Sequence, residues 1–253
     1  MREQLPRKSN KSAWRKVGYC PAVAATNYAV WGVASDYSFL AAVTKPNVVS
    51  TSTADVMTTG TGAWQVKVTY LDLNFAEKSE VVALNGTTAV PMAAEDVFRV
   101  NDVRVISAGT GMVAAGIITV KNTANAITLA SILAGENTSK QLIYTVPANK
   151  MLEIFDGVVS NRATTTLKGN TFKIMSNYDA ANNVVRRNAT GPILYTDFQI
   201  DTDQSTAPIY FGRDMEQKEM SLKYPAGTDI ICKVLGVATG IVSCTLLGIE
   251  YPI

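Results

Sequence analysis

Between Trp64 and Tyr70 the apolar side chains fall on every second residue, with Gln65, Lys67 and Thr69 between them. That is the period of a strand with one face in a core and the other in water. Asp72-Leu73-Asn74-Phe75-Ala76 is turn-like, and the chain returns through Glu77 to Leu84, so residues 60–90 are expected to form an antiparallel hairpin. Similar runs continue to the end of the chain, at residues 97–107, 116–122, 127–129, 141–145, 151–160, 171–177, 192–200, 219–224, 229–237 and 241–251. With Trp64–Leu73 and Ser79–Leu84 they make a set of short β-patterned segments separated by turn residues, as in a sandwich or barrel. Helix signals are scarce: "PMAAEDVF" could make one turn, and "DAANNVVRR" is short and Asn-rich.

Two runs carry more detail. In "VFRVNDVRVI", Phe98 and Val100 share one parity while Val103 and Val105 share the other, so an inserted residue near Asn101-Asp102 is expected, as a bulge or bend. At the C-terminus the alternation Ile249, Tyr251, Ile253 predicts a strand held inside a sheet, since fraying would expose those groups to water.

Residues 1–58 read differently. Aromatics and small residues without a sustained period run up to "KPNVVSTSTADVMTTGTG", which has linker composition. The expected organisation is therefore an extended basic and aromatic N-terminal arm, 1–58, followed by an antiparallel, jelly-roll-like β-sandwich, 59–253. Residues 1–16 hold six cations against Glu3, a balance of +5, so the remaining chain sums to −3 to reach the overall +2. The arm reads either as a solvated tail or as a segment ordered by a protein neighbour. Its candidate partner-binding residues are Arg7, Lys8, Lys11, Trp14, Arg15, Lys16, Tyr19 and Trp31.

Composition then narrows the chemistry. The chain has 253 residues, 47% hydrophobic and 17% charged, enough for a sizeable core and low in charge, which suggests that much of its surface faces other protein. It contains no histidine, which removes His-based acid–base catalysis, Ser-His-Asp and Cys-His nucleophiles and His-containing zinc sites. The three cysteines, Cys20, Cys232 and Cys244, cannot fill a four-thiolate site. A turn centred on Ala238 would set Cys232 opposite Cys244, either as buried thiols or as a cross-strand disulfide. In "SAGTGMVAAG" the glycine spacing and the following strand pattern do not fit a dinucleotide fingerprint, and the segment reads as a β–β loop. Glu77 with Glu80, and Glu95 with Asp96, read as solvated charges rather than a catalytic pair. Tyr210, Phe211, Arg213 and Tyr224 belong to a segment that is either an interface loop or an ordinary connection. No run is apolar and long enough for a membrane span.

Gly60 to Val90 reads G-T-G-A-x-x-V-x-V, then "LDLN" and "KSEVVALNGTTAV", and is followed by "VFRVNDVRVISAGTG", "AAGIITVKN", "YTVPANKMLEI" and "YPAGTDIICKV". Over about residues 58–251 this resembles virion structural proteins of tailed bacteriophages, including marine and cyanobacterial phages. Asn149 stands where the "VPAGK"-like turn of that group has glycine. The resemblance implies a particle component with no enzymatic activity and no cofactor, located in the virion after assembly in the host cytoplasm. Its expected form is a homotrimeric capsid decoration or cement protein on the major capsid protein, without membrane or specific nucleic-acid partners. A neck, collar or tail-surface protein is the alternative, and a host-glycan-binding module a more distant one.

Overall fold

The computed structural model describes residues 10–21, 28–33, 35–163, 170–202, 209–211, 221–236 and 240–253. The strands of the first half are β1 (Ser12–Cys20), β2 (Tyr28–Ala29), β3 (Asn47–Ser50), β4 (Ala63–Leu71), β5 (Glu77–Ala83), β6 (Val90–Pro91), β7 (Arg99–Ala108), β8 (Ile118–Lys121) and β9 (Thr128–Ile132). Then come β10 (Ile143–Thr145), β11 (Lys150–Ala163), β12 (Asn170–Ser176), β13 (Tyr178–Asp179), β14 (Val184–Val185), β15 (Arg187–Asn188) and β16 (Gly191–Pro192). The last are β17 (Tyr195–Thr202), β18 (Ile209–Phe211), β19 (Leu222–Tyr224), β20 (Asp229–Gly236) and β21 (Gly240–Pro252). All strand pairing is antiparallel and no helix occurs among the described residues, so the protein is all-β. Each β-patterned run expected from position 64 onward overlaps a strand. The two weak helix signals do not survive: residues 91–98 are extended or bent, and 178–185 make the small β13–β14 hairpin.

The strands build two units. In the first, the sheet β6-β3-β8-β9 and the sheet β5-β4-β7 share a core that includes Val48, Val66, Val68, Val103, Ile118 and Leu129. In the second, the sheet β1-β21-β11-β18, with β19 also on β11, shares a core with the sheet β10-β20-β12-β17, to which β2 is added on β20. Leu152, Ile154 and Leu246 meet Phe172, Ile174 and Val234 there. Each such fully buried aliphatic or aromatic side chain stabilises the fold by about 1.5–3 kcal/mol.

The hairpin runs in register from Gln65↔Ala83 to Leu71↔Glu77, with Val66, Val68 and Tyr70 buried and Lys67 exposed. Its turn is closed by Asp72, whose Oδ1 accepts the N–H groups of Asn74 and Ala76 at 2.8 and 3.0 Å. The expected bulge is present: Thr69 faces Asp102 and Tyr70 faces Val100, which leaves Asn101 without a partner on β4. The C-terminal strand lies between β1 and β11 as expected, but it ends at Pro252 and buries its even-numbered face, Val242, Cys244 and Leu246; Ile249 and Tyr251 are half-buried and Ile253 is 67% exposed.

The described part of residues 1–58 is not an arm apart from the body, and the boundary at 58/59 is corrected accordingly. β1 pairs along its whole length with β21, from Ser12↔Glu250 to Cys20↔Val242. Its inner face is committed to the second core: Cys20 is fully buried, and a Cβ on Gly18 would lie 2.4 Å from Leu142 Cγ. β3, still within the supposed arm, contributes Val48 to the first core. From β1 onward the chain thus runs from the second unit to build the first, and returns to complete the second. The cysteine geometry also differs from expectation. Cys232 on β20 and Cys244 on β21 belong to facing sheets rather than to one hairpin, and both are buried free thiols; Cys20 is buried as well.

One buried ion pair clamps the units together. Arg99 opens β7 in the first and Asp229 opens β20 in the second; their side chains are 2% and 0% exposed. Arg99 Nε and Nη2 donate to the two Asp229 oxygens at 2.8 and 3.1 Å, a bidentate pairing. Nη1 donates to the carbonyls of Leu40 and Phe98, both at 2.9 Å, and the guanidinium lies 3.8 Å from the Phe98 ring centroid and 5.1 Å from that of Phe39. Asp229 further accepts Thr145 Oγ1 at 2.6 Å and Arg187 Nη2 at 2.8 Å. Burial alone pushes its carboxyl upward, yet the Arg99 charge and hydrogen bonds, with Arg187 and Thr145, hold it below the usual aspartate range. The stability it contributes is therefore complete above the unfolded value, about 3.9, and is lost as pH falls through the lower native value. Replacing Arg99 with Met leaves the buried carboxylate with Arg187 as its remaining cation and should lower the unfolding free energy in urea by about 3 kcal/mol. Adding Asp229→Asn to that variant should cost less than the sum of the single changes; full additivity would contradict the clamp.

Candidate functional site

Beside the clamp, the two units leave an open cleft of about 850 Å³. One wall is β1, from Ala13 to Val17; the other comes from the first unit, with Lys67 and Thr69 of β4, Glu77 of β5, and Asp102 and Arg104 of β7. Thr138, Ser139 and Lys140, from the connection between β9 and β10, and Tyr144 of β10 complete the lining.

The bulge shapes this site. Because Asn101 has no ladder partner, its amide turns across to the second unit, where it donates to Thr145 O and accepts from Thr145 N, each at 2.9 Å. Its own carbonyl accepts from Lys16 Nζ. Gln141 Nε2 donates to the neighbouring Val100 carbonyl at 3.0 Å, so the edge of β7 is tied to the second unit at successive residues. Tyr144 packs edge-on against Trp14, with ring centroids 5.3 Å apart, and the Lys16 ammonium lies 5.4 Å from its ring. The Tyr144 hydroxyl donates to Glu250 Oε1 at 2.5 Å, and Lys150 pairs with the other Glu250 oxygen at 2.8 Å. Burial first, and the Glu250 charge second, push the phenol far above its ordinary range.

The cleft is cationic. Arg15, Lys16, Lys67, Arg104 and Lys140 line it against Glu77 and Asp102, a difference of +3 (five cations less two carboxylates). Arg104 is paired with Asp102, and Lys140 with Glu136. Arg15 and Lys67 are exposed and make no ion pair among the described residues. Burial pushes the Lys16 ammonium down to about 8, Asp102 raising it and Arg104 lowering it. Such an arrangement attracts an anionic ligand and offers it hydrogen-bond donors from both walls.

The expected binding residues are dispersed by the fold. Trp14, Arg15 and Lys16 line the cleft, and Tyr19 lies on the same strand nearer its end. Lys11 is exposed, with its ammonium 5.3 Å from the Tyr251 ring. Trp31 is corrected: it is 2% exposed, stacks edge-on with Tyr37 and donates to Ser35 O at 2.9 Å, so it is a core residue. Arg7 and Lys8 lie outside the described residues, as does Arg213. Tyr224 is buried with its hydroxyl on Asp197 at 2.9 Å, not on a binding loop. Lys67, Arg104, Lys140 and Tyr144 were not singled out by sequence; alternation shows that Lys67 points outward but not which strand it faces.

The remaining motifs are structural. The glycine-rich stretch after β7 seams two loops together: Gly109 N donates to Gly62 O at 2.8 Å and Gly111 N to Thr61 O at 2.7 Å. Asp55 fastens the same end of the unit by accepting from Ala63, Ala115 and Gly116 N–H and from Ser50 Oγ, at 2.6–2.9 Å. Glu80 accepts from the N–H groups of Ala93 and Ala94, and Lys78 bridges Asp72 and Asp96. Asn149 adopts φ +59°, the left-handed conformation that glycine or asparagine takes most readily. Burial raises the thiols of Cys232 and Cys244, which disfavours the nucleophilic thiolate. No group of three His, Cys, Asp or Glu side chains able to hold a metal ion occurs among the described residues.

No known protein family and no curated protein matches the chain. Two solved structures from infectious bursal disease virus are similar at a low level. The VP2 subviral particle is 9% identical over 99% of this chain and 84% of its own, with a TM-score of 0.12. The virus-derived T=1 particle is 10% identical over 99% and 81%, with a TM-score of 0.11.

Two outcomes follow. The native value of Lys16 lies below its unfolded one, so between about pH 8 and 10.5 the unfolded chain holds more protons and this residue's contribution to stability rises with pH. Urea titrations across that window should show a shallower rise for Lys16→Met than for the wild type; parallel curves would refute the burial. Gly109→Ala would set a Cβ 2.3 Å from Gly60 O, and should cost about 1–3 kcal/mol by the same measurement.

Proposed function

We propose that the chain is a structural component of a virus particle, held in place by contacts with other particle proteins and without catalysis of its own. The observation that carries this reading is the cationic cleft between two clamped β units, one wall of which is the outer strand of a sheet. A rigid body with a charged groove and a strand edge suits docking to another protein: the clamp holds the walls in register, so little ordering cost falls on the chain when a partner enters. The resemblance of residues 58–251 to tailed-phage virion proteins supports the same reading.

Within it, the preferred role is decoration of the head, as a homotrimer seated on the major capsid protein, with many copies amplifying a weak single contact. The alternative is a neck, collar or tail-surface position. Because β1 belongs to the sheet, the attachment surface is the cleft and its rim, not a detachable arm. Antibody labelling of intact particles of the encoding virus should decorate the head many times over. Labelling at one ring of the neck or tail would select the alternative, and absence of the chain from purified particles would refute the reading.

A further inference from the structure

β1 is the last strand of its sheet, with β21 on one side. On the other side, among the described residues, only its C-terminal end is closed: Tyr19 N donates to Lys140 O at 3.1 Å, and Tyr19 O accepts from Gly32 N. These two bonds fix which main-chain groups point away from β21. By the alternation of a strand, the N–H and C=O groups of Ala13, Arg15 and Val17 point the same way. None of them bonds to another main-chain group among the described residues, and all three residues line the cleft. An open strand edge of this kind is a template for another strand. The four steps from Ala13 Cα to Val17 Cα span about 13 Å at ~3.3 Å per residue.

Charge specifies what enters. Cys20 and Gly18 face the core, so the even-numbered Lys16 is on the inner face of the sheet and the odd-numbered Arg15 on the outer. Neighbouring residues of an added strand would therefore meet a cation on each face, while Lys67, without an acidic partner among the described residues, looks in from the opposite wall. A run of consecutive carboxylates matches that placement better than alternating ones.

We propose that the edge of β1 accepts an extended acidic segment of a partner protein, which adds as a strand along Ala13–Val17 with its carboxylates against Arg15, Lys16 and Lys67. The occupant pays little for the main-chain bonds, which replace those to water, and the opposed charges set its composition and speed its arrival. This rests on the assembly reading above and names the chemistry of the partner.

The test uses the full chain and a labelled, end-capped peptide Val-Glu-Glu-Glu-Glu-Val. Fluorescence anisotropy should show saturable binding, and amide hydrogen exchange should slow at Ala13, Arg15 and Val17. Arg15→Glu and Lys67→Glu, both exposed and expected to keep the wild-type unfolding midpoint, should each weaken binding about tenfold. A version of the peptide N-methylated at alternate residues keeps its charge but loses strand donors, and should bind much more weakly. Equal binding of the methylated peptide, or equal binding of single-stranded DNA without slowed exchange, would overturn strand addition in favour of a simple cationic patch. Slowed exchange at the three amides in a concentration-dependent dimer without peptide would overturn it in favour of a second copy. Failure of the peptide to bind, with the chain still present on particles, would sink this inference alone; absence from particles would sink the assembly reading instead.

Discussion

A carboxylate and a guanidinium taken out of water between two β cores impose a demand that the rest of the structure answers. Stripping either ion of solvent costs several kcal/mol, and the attraction between them offsets that only when the geometry is close and the remaining donors and acceptors are filled. Here they are filled from three directions. Leu40 and Phe98 supply carbonyls to Arg99, two phenylalanine rings cover its faces, and Thr145, Arg187 and Asn177 complete Asp229. Such a pair tolerates little displacement. The two units are thereby joined through β7, the strand that also brings Asp102 and Arg104 to the cleft.

The bulge at Asn101 works on the same edge. A single extra residue in β7 leaves Asn101 out of the ladder, and its side-chain amide binds the main chain of Thr145 as another strand would. Two residues earlier on β7, Arg99 reaches Asp229. The local irregularity and the ion pair are thus parts of one junction, and Lys16, donating to the Asn101 carbonyl, brings β1 against it. A cation there is costly, which explains why burial lowers its proton affinity while the exposed Arg15 beside it stays free for solvent or a ligand.

Much of this could be read along the chain. Period-two alternation marked Trp64–Tyr70, because that strand turns Val66, Val68 and Tyr70 into a core and Lys67 to water, whereas β9 and β10 are buried on both faces and showed as short apolar runs. The parity switch between Val100 and Val103 located the bulge, since only an inserted residue keeps both valines inside. Asp72 announced its turn, the run through Tyr251 its place within a sheet, although Ile253 falls outside it, and the spacing of Gly109 and Gly111 a loop rather than a nucleotide fingerprint. β1 and β3 were harder to see. Trp14, Lys16, Gly18 and Cys20 share one face but differ too much in polarity to show a period, and the four residues of β3 are too few.

The linear order of residues therefore determined the class of structure, the faces of most strands and the chemistry that histidine would have supplied, because those depend on each residue's neighbours a few positions away. Only tertiary structure decided that Arg99 meets Asp229, that Ser12–Cys20 closes onto the strand ending at Pro252, that Cys232 and Cys244 lie in opposite sheets, and that cations from distant segments share one cleft. Those pairings join residues far apart in the chain. Their energies come from desolvation and close packing in a shared interior, and no local pattern of apolar and polar side chains records which partner a strand edge or a buried charge will find.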